Sequence, residues 1–240
     1  MREVRPEVVF HLAGQTAAAP DRGLVLSSFR NNLASTVALL NELAETGCRR
    51  IVVTGSLEEP EPGKTDVVPA SPYGASKWAE SIYARMFHVL YRLPVVIVRP
   101  YMTYGPRQRP EKLIPSVTLS LLRGDTPTVK NPDRKVDWIY VKDAAEGILA
   151  AGAASSAVEG RTIDLGSGAL VPIREVVKEI QSHVGGAASI HLSKSEKSVG
   201  VDGRRADAES AHRLLGWAPT VPLREGLALT VEWYRANLTQ

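Results

Sequence analysis

The sequence is poor in cysteine, in long apolar runs and in charge of one sign. Cys48 is the single cysteine of the 240 residues, so no disulfide can form within the chain, and a reducing cytoplasm is the simplest setting. Its place just after Gly47, where a helix is expected to end, argues against a catalytic thiol. No stretch approaches the ~18 apolar residues of a membrane span. The N-terminus is charged from its second residue and lacks the pattern of a secretory signal. Lys and Arg number 29 against 26 Asp and Glu, a formal net charge of +3. With the basic residues scattered rather than in runs, this balance gives no reason to expect nucleic acid. Internal repeats and low-complexity tracts are absent, and no set of metal ligands is read. What remains is ordinary for a globular protein, 44% apolar and 23% charged, and long enough to bury one substantial core or two small ones.

Apolar runs rich in β-branched residues alternate with stretches of helical spacing. Val8–Leu12, Ile51–Val53, Pro94–Val98, Asp137–Val141 and Thr162–Leu165 read as strands. Val8–Leu12, apolar on both faces, reads as central, with His11 a satisfied core or strand-end histidine. Leu26–Glu45, closed by Gly47, reads as a helix with Leu26, Leu33, Val37, Leu40 and Leu43 on one stripe. Tyr73–Tyr91, Glu111–Arg123, Asp143–Ala151, Ile173–Val184, Ala208–Leu215 and Leu223–Asn237 read as further helices. This order predicts an α/β fold with a parallel sheet. Gly166-Ser167-Gly168 resembles part of a dinucleotide fingerprint, but Val171 stands where the third glycine belongs, so it reads as a turn.

One stretch carries chemistry. Ser56 lies at the end of the Ile51–Val53 strand, and a loop rich in Pro, Gly and acid crosses to Tyr73. Tyr73 and Lys77 are four apart, so they share a face of the first helical turns after Pro72. A phenol with pKa near 10 is a poor base at neutral pH. An ammonium one turn away, together with a cationic cofactor ring, would favour the phenolate. Tyr73 could then take the proton of an alcohol while hydride leaves its carbon, with Ser56 holding the same oxygen. Taken alone, a Tyr and a Lys at this spacing are more often an exposed helix face. Of the seven tyrosines, only Tyr73 has a lysine four residues on.

Ser56 with Tyr73-x-x-x-Lys77 resembles the active site of the extended short-chain dehydrogenases, the nucleotide-sugar epimerases and dehydratases. His11-Leu12-Ala13-Gly14 resembles that family's fourth-strand motif, and Asn32–Leu40 its next helix. Arg99-Pro100-Tyr101-Met102-Thr103-Tyr104-Gly105-Pro106 resembles the loop after its sixth strand. Asp137–Val141 and Leu214-Leu215-Gly216-Trp217 resemble later signatures. The resemblance implies a Rossmann-type sheet, residues 1–101 with about 136–167, and a smaller substrate lobe, about 102–135 with 168–240. It implies NAD or NADP against Ala13, Gly14, Tyr73, Lys77 and Pro100, with Asn32 bracing the surrounding loops; the residues alone allow Asn32 to be a solvated surface amide. It implies a nucleotide sugar near Gln15, Thr16 and Met102. Arg107, Arg134, Arg204 and Arg205 lie in loops of the substrate lobe, where a planar guanidinium suits a diphosphate, though each taken alone is more often a solvated surface charge. The resemblance also implies a homodimer through the Leu26–Glu45 and Tyr73–Tyr91 helices, whose stripes, including Trp78, Ile82, Met86 and Leu90, could equally face the protomer's own core.

Three departures qualify these expectations. Met102 stands where many members have Asn, and a thioether cannot replace an amide's donors. After the strand-end hydroxyl, 4,6-dehydratases of this family carry an acidic pair or a single Glu; here Leu57 fills the Asp position and Glu58 the Glu position. Glu58 is therefore a candidate acid, and 4-epimerase or reductase chemistry ranks above dehydration. Last, a dinucleotide fold should begin with strand, Gly-rich turn and helix. On the order of 60 residues, two βα units and a strand, are missing, and loss of the first strand, which pairs with the fourth, would bare the Val8–Leu12 edge. The expected reading is a fragment or mis-started frame of a longer enzyme. The alternatives are a 4-ketoreductase of the same family and an inactive or regulatory remnant.

Overall fold

In the strand that precedes Ser56, successive side chains point to opposite faces of a sheet, and both faces are apolar because both are covered. The computed structural model describes residues 3–60, 67–185, 188–193 and 203–238. The middle of the loop from Ser56 to Tyr73, residues 61–66, lies outside them. The chain runs β1 (Val8–His11), α1 (Val25–Ser28), a π-helical segment (Phe29–Ala34), α2 (Ser35–Thr46), β2 (Arg50–Thr54), α3 (Pro72–Tyr91) and β3 (Val95–Pro100). It continues with β4 (Met102–Tyr104), α4 (Leu113–Leu122), β5 (Thr128–Lys130), β6 (Lys135–Tyr140), α5 (Val141–Ala153) and β7 (Thr162–Leu165). β8 (Leu170–Pro172), α6 (Ile173–Val184), β9 (His191–Ser193), α7 (Ala208–Leu215) and α8 (Leu223–Ala236) complete it.

The main sheet has the order β1-β2-β3-β7 and is parallel throughout. Ile51, Val53, Val95 and Ile97 meet Leu40, Leu43, Ala84 and Phe87 of α2 and α3. Val52, Val96, Val98, Ile163 and Leu165 meet Ala144 and Ala151 of α5, Ala211 of α7 and Trp217. Gly147 of α5 admits this packing, because a Cβ there would stand 2.8 Å from Leu165 and 3.0 Å from Trp217. A second sheet, β4-β6-β8, and helices α4, α6 and α8 enclose another core with Ile114, Val117, Trp138, Val176, Ile180 and Leu227. β6 joins the two cores. Val136, Trp138 and Tyr140 face the second, and Ile139, one residue out of step, faces the first.

β1 is the outermost strand of the described sheet, the bared edge expected of Val8–Leu12, with Phe10 38% and Leu12 53% exposed. One expectation is corrected here: Leu26–Glu45 is not one regular helix. It widens into the π-helical segment at Asn32, whose amide is drawn out of the helix face to bind Gln15 and Ser76; such widening is common at functional sites. The periodic stripe therefore shifts, so that Leu40 and Leu43 are buried while Leu26 is exposed. On α3 the core face is Gly74, Ser76, Lys77, Glu80, Ser81, Ala84 and Phe87, and Ile82 and Leu90 face outward. α4 starts at Leu113 rather than Glu111, since Lys112 still has extended backbone.

The Gly166-Ser167-Gly168 turn does wrap an anion, but the anion is Asp137. Its buried carboxylate accepts from the amides of Ser167, Gly168 and Ala206 at 2.7, 2.9 and 2.9 Å, and from the Ser167 hydroxyl at 2.7 Å. The carboxylate thus binds the chain after β7, and the one before α7, to β6. Asp137→Ala should cost about 3–5 kcal/mol in denaturant unfolding, because several buried donors lose their partner together. A loss under about 1 kcal/mol would show that water replaces the carboxylate without penalty.

Candidate active site

The site forms where β1, β2 and β3 end. β2 gives way to Gly55, whose amide still donates to the Val98 carbonyl at 2.7 Å. A Cβ at position 55 would press on Glu59 and stand 2.9 Å from Arg99, so the turn is open only to glycine. Ser56 follows, 5% exposed. Its amide donates to Glu59 Oε1 at 2.6 Å, and its hydroxyl accepts the Glu58 amide at 3.1 Å. α3 begins opposite, capped by Ser71, which accepts the Gly74 amide at 3.0 Å, with Pro72 in the first turn. Pro at that position costs nothing, because its missing N–H would have no helical partner. The result sets the Tyr73 phenol on the same crevice wall as Ser56.

Ser56, Tyr73 and Lys77 line one crevice of about 360 Å³, as their spacing predicted. Ala13, Gly14, Gln15, Thr16, Glu58, Pro100, Met102 and Arg134 line it too. Thr103, Gln108 and Lys112, which the sequence reading passed over, share the wall. Their only early sign was their place in or just after the Arg99–Pro106 segment. Asn32 lies behind the wall, 1% exposed. It accepts the Gln15 amide at 2.7 Å and donates to the Gln15 carbonyl at 3.1 Å and Ser76 Oγ at 2.9 Å. It is a brace, not a surface amide.

Three predicted arginines are elsewhere. Arg107 is exposed, in left-handed backbone at φ 63°, and is not part of the crevice wall. Arg204 donates from Nη1 to the carbonyls of Leu57 and Glu59 at 2.8 and 2.5 Å, and stands over the Tyr101 ring at 6.0 Å. Through Nη1 it ties the loop after Ser56 to the chain before α7, and it lines a neighbouring cavity with Arg99, Tyr101 and Arg205 rather than the crevice. Of the four arginines only Arg134 faces the crevice, beside Lys112.

The electrostatics depart from the simple expectation. Burial pushes the Tyr73 phenol up to about 12, the Ser56 hydrogen bond opposes this, and Glu58, Glu80 and Glu59 add to it. The Lys77 ammonium donates to Glu80 Oε2 at 2.8 Å, with both side chains buried. Glu80 Oε2 also accepts from Thr36 Oγ1 at 3.2 Å, and His11 Nε2 lies 2.9 Å from the same hydroxyl. Since Thr36 has one proton and spends it on Glu80, the His11 nitrogen is the donor of that pair. His11 is thus the satisfied strand-end histidine its position suggested, its pKa lowered by burial and by Lys77. Burial also raises Glu58, against the pull of the Ser71 hydroxyl that donates to it at 2.9 Å and of Lys112 and Arg134.

A Rossmann-type sheet with a Ser–Tyr–Lys crevice at its strand ends describes a class of nicotinamide-dependent enzymes. The profile of the NAD dependent epimerase/dehydratase family matches residues 1–166, and the chain belongs to that family. A dTDP-glucose 4,6-dehydratase of Streptomyces griseus is 36% identical over 244 residues, spanning 95% of this chain and 72% of the relative. The structure of the UDP-glucose 4-epimerase of Thermotoga maritima with UDP-glucose superposes with a TM-score of 0.86 at 27% identity, covering 98% of this chain and 79% of the other. That of the dTDP-glucose 4,6-dehydratase DesIV of Streptomyces venezuelae, with NAD and TYD bound, gives 0.84 at 30% identity, covering 98% and 76%.

The residues present fit one end of NAD. At the close of β1, Ala13 and Gly14 bring bare backbone to the crevice. A Cβ on residue 14 would stand 3.0 Å from Asn32 Oδ1, the atom that holds the Gln15 amide. Pro100, Tyr73 and Lys77 complete a wall suited to a ribose and a flat ring. A Gly-rich turn for the pyrophosphate is not among the 240 residues.

Proposed function

We propose that this chain carries the catalytic residues of an NAD(P)-dependent enzyme that oxidises a nucleotide-linked sugar at C4 and then returns hydride to the opposite face, a 4-epimerase. The observation that carries this is the convergence of Ser56, Tyr73 and Lys77 on one crevice at the strand ends. NAD, when bound, supplies the hydride acceptor. Tyr73 takes the proton of the C4 hydroxyl and gives it back. Ser56 has accepted the Glu58 amide and keeps its own proton to hold the C4 oxygen. Arg134 and Lys112 offer cationic donors to the diphosphate. Met102 and Thr103 face the sugar with one weak acceptor and one hydroxyl. The two-lobed division, nucleotide fold below and substrate lobe above, belongs to the same reading. The test is purified protein with saturating NAD+, far above the weak Kd expected below, and a panel of UDP- and dTDP-hexoses, products separated by chromatography. C4 epimers support the proposal; a panel with no turnover and no cofactor reduction counts against it.

Dehydration is the second reading, and Glu58 is what favours it. A half-buried carboxyl with raised pKa, set in the crevice, has the character of an acid for a leaving hydroxyl. Against it, Leu57 supplies no proton and Glu58 is engaged by Ser71.

Two consequences are checked directly. A polypeptide of these 240 residues alone should bind NAD+ with Kd weaker than about 0.1 mM, since its sequence holds no amide cradle for the pyrophosphate; calorimetry giving low-micromolar affinity would refute this. The second concerns assembly. Val25, Phe29, Leu33, Val68 and Ala75 line an apolar hollow of about 600 Å³ between the α1 region and α3. Leu26, Ile82, Leu90 and Tyr91 of these helices are exposed. We infer that this face pairs two copies. Ile82→Glu should then convert a dimer to a monomer in sedimentation; a wild-type monomer at tens of micromolar, roughly the range for a weak homodimer, would rule the pairing out.

A further inference from the structure

Behind the catalytic pair lies a buried polar chain that the proposed chemistry does not use. It runs from Lys77 of α3 to Glu80 of the same helix, then to Thr36 of α2 and His11 of β1, at 2.8, 3.2 and 2.9 Å. Glu80 is 1% exposed and Lys77 5%. Oε2 of Glu80 accepts both Lys77 and Thr36, while Oε1 is buried without a partner among the described residues. A buried ion pair earns little net stability over an apolar pair of the same shape, so its stability alone does not explain it. We propose that Glu80 is a positioning residue for the reaction: it fixes the Lys77 ammonium and, through Lys77, sets how readily Tyr73 gives up its proton.

The argument rests on the reading of Tyr73 as the base. An ammonium assists a phenolate in proportion to the charge it presents. With Glu80 ionised, the Lys77–Glu80 pair presents little net charge to Tyr73. With Glu80 neutral, the full ammonium faces the crevice. The groups around the pair are few. On α3 they are Lys77 and Tyr73, and on α2 the neutral Thr36. On β1 there is His11, and on the loop after β2 there are Glu58 and Glu59, both of which oppose ionisation of Tyr73 as Glu80 does. Burial raises Glu80 against the pull of Lys77 and Thr36.

Glu80→Gln tests this, because the amide oxygen can still accept from Lys77 and Thr36 while the charge is gone. Tyrosinate absorbance is titrated in the wild type and in Glu80→Gln, each with and without Tyr73→Phe, so that the difference isolates Tyr73. The expected result is a Tyr73 ionisation about one pH unit lower in Glu80→Gln. In the active enzyme the acid limb of the pH–rate profile should move to lower pH by the same amount. A carboxylate that only holds helices together would lower the melting temperature and leave the Tyr73 titration in place; that outcome, or a rise, overturns the proposal. Should Glu80→Gln fail to fold, Thr36→Val decides. It strips one donor from Glu80, favours the neutral acid, and should also lower the Tyr73 ionisation; no movement overturns the proposal. The titration needs neither substrate nor cofactor. A fully active Tyr73→Phe would sink the catalytic reading, while the titration would still answer the question about Glu80.

Discussion

Tyr73→Phe should lower turnover by about 10²–10⁴ with the fold unchanged, the range for loss of one positioned acid–base group. The ring fills the same space. The phenol oxygen is the only atom lost, and Ser56 beside it faces the crevice and can take water instead. Binding of a nucleotide sugar should therefore change little, and the loss should fall on kcat. The wild-type profile should also carry the mark of the phenol's surroundings. Burial sets Tyr73 near 12 without ligand. A neutral phenol is the stable form below that value and the phenolate above it, so activity should climb with pH unless bound ligands bring positive charge to the crevice. A bell centred near neutrality would mean that they do. A Tyr73→Phe enzyme within about threefold of wild type, far short of the general-base range, would remove Tyr73 from the mechanism.

What could be read from the sequence was local. Ile51-Val52-Val53 announces a strand buried on both faces, and Tyr73-x-x-x-Lys77 after Ser71-Pro72 announces a capped helix with both side chains on one face. Each signal sits within one element, where periodicity and capping act. Asn32 was legible only by resemblance. Its partners Gln15 and Ser76 lie 17 and 44 residues away, and the π-helical widening that frees its amide has no periodic signature. Arg204 could not be placed at all, because the Leu57 and Glu59 carbonyls it binds are 147 and 145 residues distant. Alone in a loop it reads as a surface charge or a diphosphate ligand, whereas the fold makes it a tie. Glu80 was half legible. Its spacing of three from Lys77 marks the pair, but the burial that gives the pair meaning comes from α2 and β1. The edge position of β1 is a different lesson. The apolar pattern of Val8–Leu12 describes a strand with neighbours on both sides, and the described residues supply one.

Glu58→Gln should separate the two outcomes left open at C4. Removing water from C5 and C6 of a 4-keto sugar needs a base for the C5 proton and an acid for the C6 hydroxyl. Among the described residues, Glu58 is the carboxyl lining the crevice beside Tyr73, and burial favours its protonated form. Any 4-keto-6-deoxy product should therefore fall by about 10²–10⁴ in Glu58→Gln. Hydride exchange with the cofactor and C4 epimerisation, which need Tyr73, Lys77 and Ser56, should not fall, since Glu58 opposes ionisation of Tyr73. The amide keeps an oxygen to accept the Ser71 hydroxyl, so the cap of α3 survives the change. Because Leu57 leaves the neighbouring position without a proton to give, wild type is expected to release chiefly the C4 epimer. If wild type forms mainly the 4-keto-6-deoxy sugar, and Glu58→Gln stops it while still exchanging hydride, the enzyme is a single-Glu dehydratase and the epimerase proposal is wrong. If wild type forms the epimer alone and Glu58→Gln leaves it untouched, the hydrogen bond to Ser71 is the whole of what Glu58 does.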